Sequence, residues 1–284
     1  MLRRVVFVQL AALLVAAGLA TAAGASRPPS FSLPEQASEV APGVFFLGQT
    51  VQDGVVLEGY AYARFAEPTE VGRRGNAKPP WAKGGSGGGE ETDASTCYSF
   101  IAKGAKWNTP EGYLFNPANN GNIGLVTESG IDAAFGVWEA AAGATIVKSG
   151  NETTDLLLAD TSGTDGKNEI YFASITDAGV LGYTIVWSTR SRGRFVGQIV
   201  ESDMVIDDDY EWSWFTNSDV AGMNPGDIDF WGVFTHEAGH WVGMGHTKTT
   251  DLCNEQTMYP SIGAGDSSKR TLEDGDTTGV FALY

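Results

Sequence analysis

All three histidines of this 284-residue chain lie within eleven residues, in the run His236-Glu237-Ala238-Gly239-His240-Trp241-Val242-Gly243-Met244-Gly245-His246. On an α-helix, His236 and His240 are four positions apart and face the same side, so both imidazoles can bind one ion. Gly243 can end that helix with a positive φ, and the reversed chain then brings His246 to the ion as a third ligand. Three neutral imidazoles around an open fourth position predict a catalytic zinc site.

Glu237 is the residue that separates a catalytic zinc site from a structural one. It directly follows the first histidine, so we expect its carboxylate to reach a water on the metal rather than the metal itself. A buried carboxylate beside a closed, structural metal site would only lower stability. We therefore predict that Glu237 is the general base of a hydrolytic reaction.

The motif H-E-x-x-H-x-x-G-x-x-H resembles the zinc-binding sequence of the metzincin metalloproteases, and the run Thr257-Met258-Tyr259-Pro260 resembles the Met-turn of their matrixin branch. With supporting similarities that begin at Lys106-Trp107, the resemblance covers about residues 97–284. It implies an α+β catalytic domain, with a twisted, mostly parallel sheet, an antiparallel edge strand, an active-site helix and a C-terminal helix. It also implies that Met258 has a structural role beneath the zinc.

The resemblance implies hydrolysis of peptide bonds in an extended polypeptide substrate, which adds to an edge strand through backbone hydrogen bonds. We expect this edge at residues 182–188, and we expect Tyr259 and Pro260 to wall the pocket just past the cleaved bond. Matrixins usually carry a second, structural zinc, but the sequence has no further histidines for it, so we predict one zinc per chain. Residues 26–95 also lack the cysteine that caps the zinc in latent matrixins.

The charge of the chain excludes two classes of partner. The formal net charge is −17, and residues 96–284 alone hold ten basic and 26 acidic residues. Binding to nucleic acid or to an anionic membrane requires a basic surface. We therefore expect no nucleic-acid partner and, after signal removal, no membrane partner. We also expect a monomer.

The N-terminus predicts a secretory signal peptide over residues 1–25. Arg3 and Arg4 precede an apolar run over residues 5–19, and small residues then offer cleavage sites of the A-x-A type. An uncleaved membrane anchor is the alternative, because the apolar run could just span a bilayer. The signal predicts a secreted, extracellular protein, whereas the anchor predicts one that is retained at the membrane.

Three segments follow the signal. Residues 26–78 predict a small β-rich module, a candidate propeptide, with a hairpin turn at Gln52-Asp53-Gly54 and a further strand over residues 60–65. Residues 79–95 predict a flexible linker rich in proline and glycine. Residues 96–284 are the predicted catalytic domain.

Hydrophobic periodicity predicts the elements of the catalytic domain. Three helices are expected, over residues 127–142, 228–242 and 271–283. Five strands are expected, over residues 112–115, 144–148, 169–173, 182–188 and 198–206.

Cys97 and Cys253 are the two cysteines of the chain, and three interpretations are open: a disulfide, a zinc-capping thiol, or two free thiols. Export to an oxidising compartment and the even count favour the disulfide.

Two acidic segments are candidate calcium sites, because calcium prefers oxygen ligands. The first consists of Asp207, Asp208, Asp209 and Glu211, and the second of Asp160, Asp165, Asn168 and Glu169. A solvated acidic surface is the alternative for both segments.

A non-catalytic, zinc-containing binding module with the metzincin fold is the alternative function. Glu237, Gly243 and Met258 argue against it, because a module that had lost catalysis would tend to lose one of them. The sequence therefore favours a secreted zinc-dependent endopeptidase.

Overall fold

The structure is a computed structural model, and it describes residues 28–67, 93–116, 126, 128–190, 197–213 and 226–284. The expected signal peptide, residues 1–25, lies outside the described residues, and so do residues 79–92 of the expected linker.

The described residues form α-helices, short 3-10 helices and strands. The α-helices are α1 (Glu128–Ala142), α2 (Phe230–Trp241) and α3 (Asp274–Leu283). The strands are β1 (Ser38–Ala41), β2 (Val44–Gln52), β3 (Val55–Ala66), β4 (Ser99–Phe100), β5 (Leu114–Phe115), β6 (Asn151–Glu152), β7 (Glu169–Ala173), β8 (Val180–Thr189), β9 (Ile199–Asp207), β10 (Trp212–Ser213), β11 (Ile228–Asp229), β12 (Met244–Gly245) and β13 (Ser261–Ile262).

The main sheet has the strand order β1-β2-β3-β8-β9-β7-β5-β6, and β13 pairs with β3 outside this path. Strands β9, β7, β5 and β6 are parallel to one another, and β8 is antiparallel to β9. The expected α+β fold is therefore confirmed, with its parallel strands, its antiparallel strand β8, the helix α2 that carries the motif and the C-terminal helix α3.

Strands β2 and β3 form the hairpin expected in the N-terminal module. Asp53 and Gly54 at its turn have φ values of 51° and 80°, the left-handed geometry that suits an Asp-Gly hairpin turn. The further strand expected over residues 60–65 is wrong as a separate element, because β3 continues through these residues without a turn.

Strand β3 pairs with β8 in antiparallel register, from Leu57 opposite Thr189 to Phe65 opposite Val180. The edge expected to receive substrate at residues 182–188 is thus part of β8, and in this chain β3 covers it. At its C-terminal end, at Phe65 and Ala66, β3 also pairs in parallel with β13.

Two helices begin later than the sequence indicates, because acidic caps fix their starts. Asp229 precedes α2, and its side chain accepts a hydrogen bond from Gly232 N at 2.8 Å, so the helix starts at Phe230 rather than at residue 228. Glu273 caps α3 in a reciprocal capping box with Asp276, so this helix starts three residues after the expected position. Helix α1 is found as expected, apart from residue 127, which lies outside the described residues.

The strand expected over residues 144–148 is wrong. Glu139 Oε1 accepts hydrogen bonds from Ile146 N and Val147 N at 2.7 and 2.9 Å, which takes the donors that a neighbouring strand would need. Only an isolated bridge between Glu111 and Val147 remains among the described residues here.

The sheet separates two hydrophobic clusters, because successive residues of a strand face opposite sides. On one side, the helices contribute Trp138, Phe234 and Trp241 to the larger cluster. On the other side, Leu57 of the N-terminal module packs in a cluster with Trp187 of β8.

Among the described residues, no helix combines the length and the apolar character needed to cross a membrane.

Candidate metal centre

Helix α2 presents His236 and His240 on one side, and a glycine turn returns the chain with His246. Gly243 has a φ of 110°, and a Cβ there would lie 2.8 Å from Ala105 O, so both backbone conformation and space require glycine. The next residues form β12, which pairs with β4 and fixes the approach of His246.

The three imidazoles converge on one point. Their ring centroids lie 4.7 to 5.3 Å apart, and His236 Nε2 lies 3.1 Å from His240 Nε2. One ring nitrogen from each histidine falls within 4.8 Å of the other two. This is the arrangement of three ligands for one metal ion.

Each Nδ1 faces a backbone carbonyl, which leaves Nε2 for the metal. His236 Nδ1 donates to Thr257 O at 2.7 Å, and His240 Nδ1 donates to Met244 O at 2.8 Å. His246 Nδ1 donates to Pro42 O at 3.2 Å, so the N-terminal module helps to orient the third ligand. Such contacts fix the tautomer and the ring orientation of metal-binding histidines.

The donor set fits zinc. Burial lowers the pKa values of His236 and His240 well below the usual value for histidine, and it lowers the pKa of His246 to about 3. All three imidazoles are therefore uncharged at neutral pH, which is the form that binds metal. His246 Nε2 is buried without a hydrogen-bond partner, as expected of an atom that faces a metal.

Glu237 lies beside this cluster with its carboxylate buried. Thr184 Oγ1 of β8 donates to its Oε2 at 2.5 Å, whereas Oε1 is buried without a hydrogen-bond partner. Burial raises the pKa of Glu237 to about 8, against the opposing effects of Thr184 and of the charge on Arg64. Thr184 is a site residue that the sequence analysis missed.

Met258 packs against the backbone of α2 at Gly239. A Cβ on Gly239 would lie 2.3 Å from Met258 Sδ and 2.6 Å from Trp138 Cζ2, so the glycine of the motif makes room for the methionine. Trp138 Nε1 also donates to Thr235 O at 2.8 Å and joins α1 to α2.

Asp276 of α3 holds the turn that carries Met258, which the sequence analysis did not predict. Its carboxylate accepts hydrogen bonds from Thr257 N at 2.7 Å and from Met258 N at 3.1 Å. Asp276 lies three residues after the cap residue Glu273, which is the spacing of a capping box. This pattern is the signal that could have drawn attention to Asp276.

A disulfide joins Cys97 and Cys253, and both residues are fully buried. It ties the start of the C-terminal part to the loop between His246 and Met258. The described residues thus contain no free thiol to cap the metal site.

Residues of β3 lie directly against the histidines, and the sequence analysis did not predict this. The Tyr62 ring stacks on His240 with a centroid distance of 4.6 Å. Arg64 is fully buried, with Nη1 3.1 Å from His236 Nδ1. Burial lowers the pKa of Arg64 to about 10, and the charge on Glu237 opposes this effect.

The acidic candidates are only partly brought together. The structure groups Asp160 with Glu201 and Asp203, one carboxylate oxygen of each lying within 4.8 Å of the others. Glu201 and Asp203 were not among the candidates. Asp160 Oδ2 and Glu201 Oε1 are buried without hydrogen-bond partners.

The run of three aspartates, residues 207–209, also forms a cluster within 4.8 Å, with one exposed member. Glu211, which was expected to join it, is not part of this cluster.

Comparison with known proteins gives one family and three relatives. The family profile described as Matrixin (Peptidase_M10) matches residues 113–284. Matrilysin of Felis catus is 35% identical over 82 residues, which is 29% of this chain and 27% of that protein. Matrilysin of Homo sapiens is 34% identical over 82 residues, 29% of this chain and 26% of that protein. The metalloendoproteinase 1-MMP of Arabidopsis thaliana is 33% identical over 72 residues, 25% of this chain and 18% of that protein.

These alignments span about a quarter or less of the curated relatives. The family profile, in contrast, covers more than half of this chain and includes the whole histidine motif and Met258. The chain therefore belongs to the matrixin family of zinc metalloendopeptidases.

Proposed function

We propose that this protein is a secreted zinc-dependent endopeptidase that hydrolyses peptide bonds in proteins, with Glu237 as the general base. The observation that carries the proposal is the buried Glu237 carboxylate beside the three histidines, with Oε1 free of hydrogen-bond partners. A carboxylate oxygen in that position can accept a proton from water at the metal site.

The residues that would hold zinc are His236, His240 and His246, through their Nε2 atoms. Bound there, zinc lowers the pKa of a coordinated water and polarises the carbonyl of the bond to be cleaved. The carbonyls of Thr257 and Met244 keep the first two imidazoles in the required tautomer.

Glu237 carries the proton in this proposal. Thr184 holds one oxygen of the carboxylate, so Oε1 takes the proton of the attacking water, and the carboxyl group then gives it to the leaving amine. Gly182 keeps the approach open, because a Cβ there would lie 3.1 Å from Glu237 Oε1.

We propose that substrates are extended polypeptides that bind between β8 and residues 260–262. Both segments pair with β3 from opposite sides, which supports a common groove between their backbone groups. A peptide that adds to a strand gains affinity from backbone hydrogen bonds and specificity from pockets for alternate side chains.

For the organisation of the chain we propose the division that the sequence predicts. Residues 1–25 are a signal peptide, 26–78 an N-terminal module, 79–95 a linker and 96–284 the catalytic domain of a secreted monomer. The buried disulfide supports secretion, because such bonds form in oxidising compartments. The charge of −17 supports polypeptide rather than nucleic-acid or membrane partners.

We also propose a calcium ion at Asp160, Glu201 and Asp203. Glu201 is fully buried, and its Oε1 lacks a partner, as does Asp160 Oδ2. Charged carboxylates held within 4.8 Å of one another in a buried site are costly unless a cation compensates them, and calcium binds carboxylate oxygens.

The test is cleavage of casein by the zinc-loaded full chain. Because β3 lies in the groove, the appearance of casein fragments is followed over time. We expect fragments within the casein chain, their loss with a chelator, and their return with added zinc. A chain that holds one zinc and leaves casein intact would favour the binding-module alternative over the endopeptidase.

A further inference from the structure

The end of β3 is hydrogen-bonded on both sides, as a bound peptide in a groove would be. Three consecutive amides donate to alternate walls: Phe65 N to Pro260 O at 3.0 Å, Ala66 N to Gly179 O at 2.9 Å, and Glu67 N to Ile262 O at 2.8 Å. A strand at an open sheet edge would leave every second amide to solvent. This segment therefore fills the groove proposed above for substrates.

The Ala63–Arg64 peptide bond lies beside the candidate metal site. Arg64 is paired with Gly182, whose Cβ position is 3.1 Å from Glu237 Oε1. Ala63 N donates to Gly43 O at 2.8 Å, so the amide of this residue points away from β8.

The carbonyl of Ala63 points the same way as its amide, because the N–H and C=O of one strand residue share a side. A Cβ on Gly43 would lie 3.2 Å from Ala63 O and 3.1 Å from His246 Cε1. The carbonyl is thus on the side of His246, and the amide of Arg64 is on the side of Glu237. Hydrolysis requires the carbonyl oxygen of the cleaved bond near the metal ligands and the leaving nitrogen near the group that gives it a proton.

The two side chains that flank Ala63 occupy separate sites. Tyr62, before it, stacks on His240. Arg64, after it, runs into a fully buried pocket past His236, on the side of the groove where Pro260 binds the next amide.

Four carboxyl groups act electrostatically on the buried guanidinium of Arg64. The carboxylates of Glu237, Asp266, Glu67 and Asp276 raise the pKa of Arg64 against the larger opposing effect of burial. Lys269 is an opposing cation in the same region, since the charge of Arg64 lowers its pKa. Arg64 Nε and Nη2 have no hydrogen-bond partner among the described residues. The pocket therefore accepts this side chain by its length and charge rather than by a full set of hydrogen bonds.

We propose that β3 is bound as a substrate of its own chain, that Ala63–Arg64 is the bond presented for cleavage, and that the pocket beside His236 accepts arginine after the cleaved bond. The inference rests on the proposed endopeptidase function. Water adds its oxygen to the Ala63 carbonyl carbon, and the bond from that carbon to Arg64 N breaks. Ala63 becomes a carboxylate and Arg64 a new amino terminus, with the proton delivered by Glu237.

The first arm of the test is hydrogen exchange on the metal-free full chain, which needs no activity. The amides of Phe65, Ala66 and Glu67 should exchange at least about 100-fold more slowly than those of Asp53 and Gly54 at the hairpin tip. Rapid exchange at all three, or at every second one, would overturn the proposal.

The second arm is mass spectrometry of the zinc-loaded full chain. We expect fragments that end at Ala63 and begin at Arg64, formed at a rate independent of protein concentration, because the bond already lies in its own groove. Arg64→Lys should keep most of this rate, and Arg64→Asp should lower it by at least about tenfold. The control Lys148→Asp, at an exposed lysine outside β3 and β8, should leave it unchanged.

Casein separates failure of this inference from failure of the proposed function. Cleavage of casein with an intact Ala63–Arg64 bond overturns the inference alone. Equal cleavage of this bond in Arg64→Asp and wild type overturns the role of the pocket. A zinc-loaded chain that cleaves neither itself nor casein overturns both.

Discussion

Gly239 leaves the space in which Met258 reaches the underside of α2. A methyl group there would overlap both the methionine and Trp138, and overpacking of this kind typically costs about 1–3 kcal/mol. We predict that Gly239→Ala lowers the free energy of unfolding by that amount and weakens zinc binding, measured by urea denaturation and metal titration.

Gly136→Ala is the matched control, because Gly136 also lies within a helix but has nothing within 4 Å of its Cβ position. Alanine should stabilise there by up to about 1 kcal/mol. Equal effects of the two substitutions would contradict the packing role of Gly239.

The proposed calcium site at Asp160, Glu201 and Asp203 would link calcium binding to pH. Burial raises the pKa of Glu201 from 4.5 to about 8 and that of Asp203 well above its usual value. The folded chain therefore holds these protons more tightly than the unfolded chain, and this stabilisation is lost as pH rises from about 4.5 towards 8. Without calcium, we predict a falling Tm over this range.

Calcium should restore that stability only where the carboxylates are charged. With zinc held constant, we predict that saturating calcium raises Tm by about 5 °C at pH 8 and hardly at pH 5. Glu201→Gln should remove the effect, and Glu152→Gln, at an exposed position, should keep it. The same calcium shift at both pH values would count against the site.

At the scale of elements, the disulfide joins two segments separated by 156 residues in sequence. Long closed loops restrict the unfolded chain most, so we predict that Cys97→Ser with Cys253→Ser lowers the free energy of unfolding by about 2–5 kcal/mol. Denaturant unfolding measures the loss, with the reduced wild-type chain as the control. An unchanged unfolding midpoint would mean that the bond adds no stability.

The elements that the sequence predicts well are those set by local patterns. Helix α2 follows from the histidine spacing, and the β2–β3 hairpin follows from Asp53-Gly54. The pairing of β3 with β8 was not predictable in this way, because the two strands are far apart in sequence and the alternation within each says nothing about its partner.

The residues of the site also divide into those that a local pattern predicts and those that it does not. His236, His240 and Glu237 were predictable because helix geometry relates neighbours at fixed spacing. Thr184, Asp276 and Arg64 reach the site from three other elements, and no local pattern places them there.

At the scale of the whole molecule, the N-terminal module shares a hydrophobic cluster with the sheet of the catalytic part. Leu57 of β3 is 2% exposed within this cluster. We predict that Leu57→Ala lowers the free energy of unfolding by about 2–5 kcal/mol, with fluorescence and circular dichroism reporting one common transition.

Val51→Ala is the control for this substitution, because Val51 is 67% exposed, and it should change stability by less than about 0.5 kcal/mol. Two separate transitions would show instead that the module folds apart from the catalytic part.

The central claim is that Glu237 performs acid–base catalysis at a three-histidine zinc site. The measurement that tests it most directly is the rate of casein hydrolysis per bound zinc in Glu237→Gln, beside wild type and the exposed control Glu255→Gln. We predict one zinc per chain in all three, a rate lowered at least about 100-fold in Glu237→Gln, and an unchanged rate in the control. A zinc-loaded Glu237→Gln chain that cleaves casein as fast as wild type would contradict the claim.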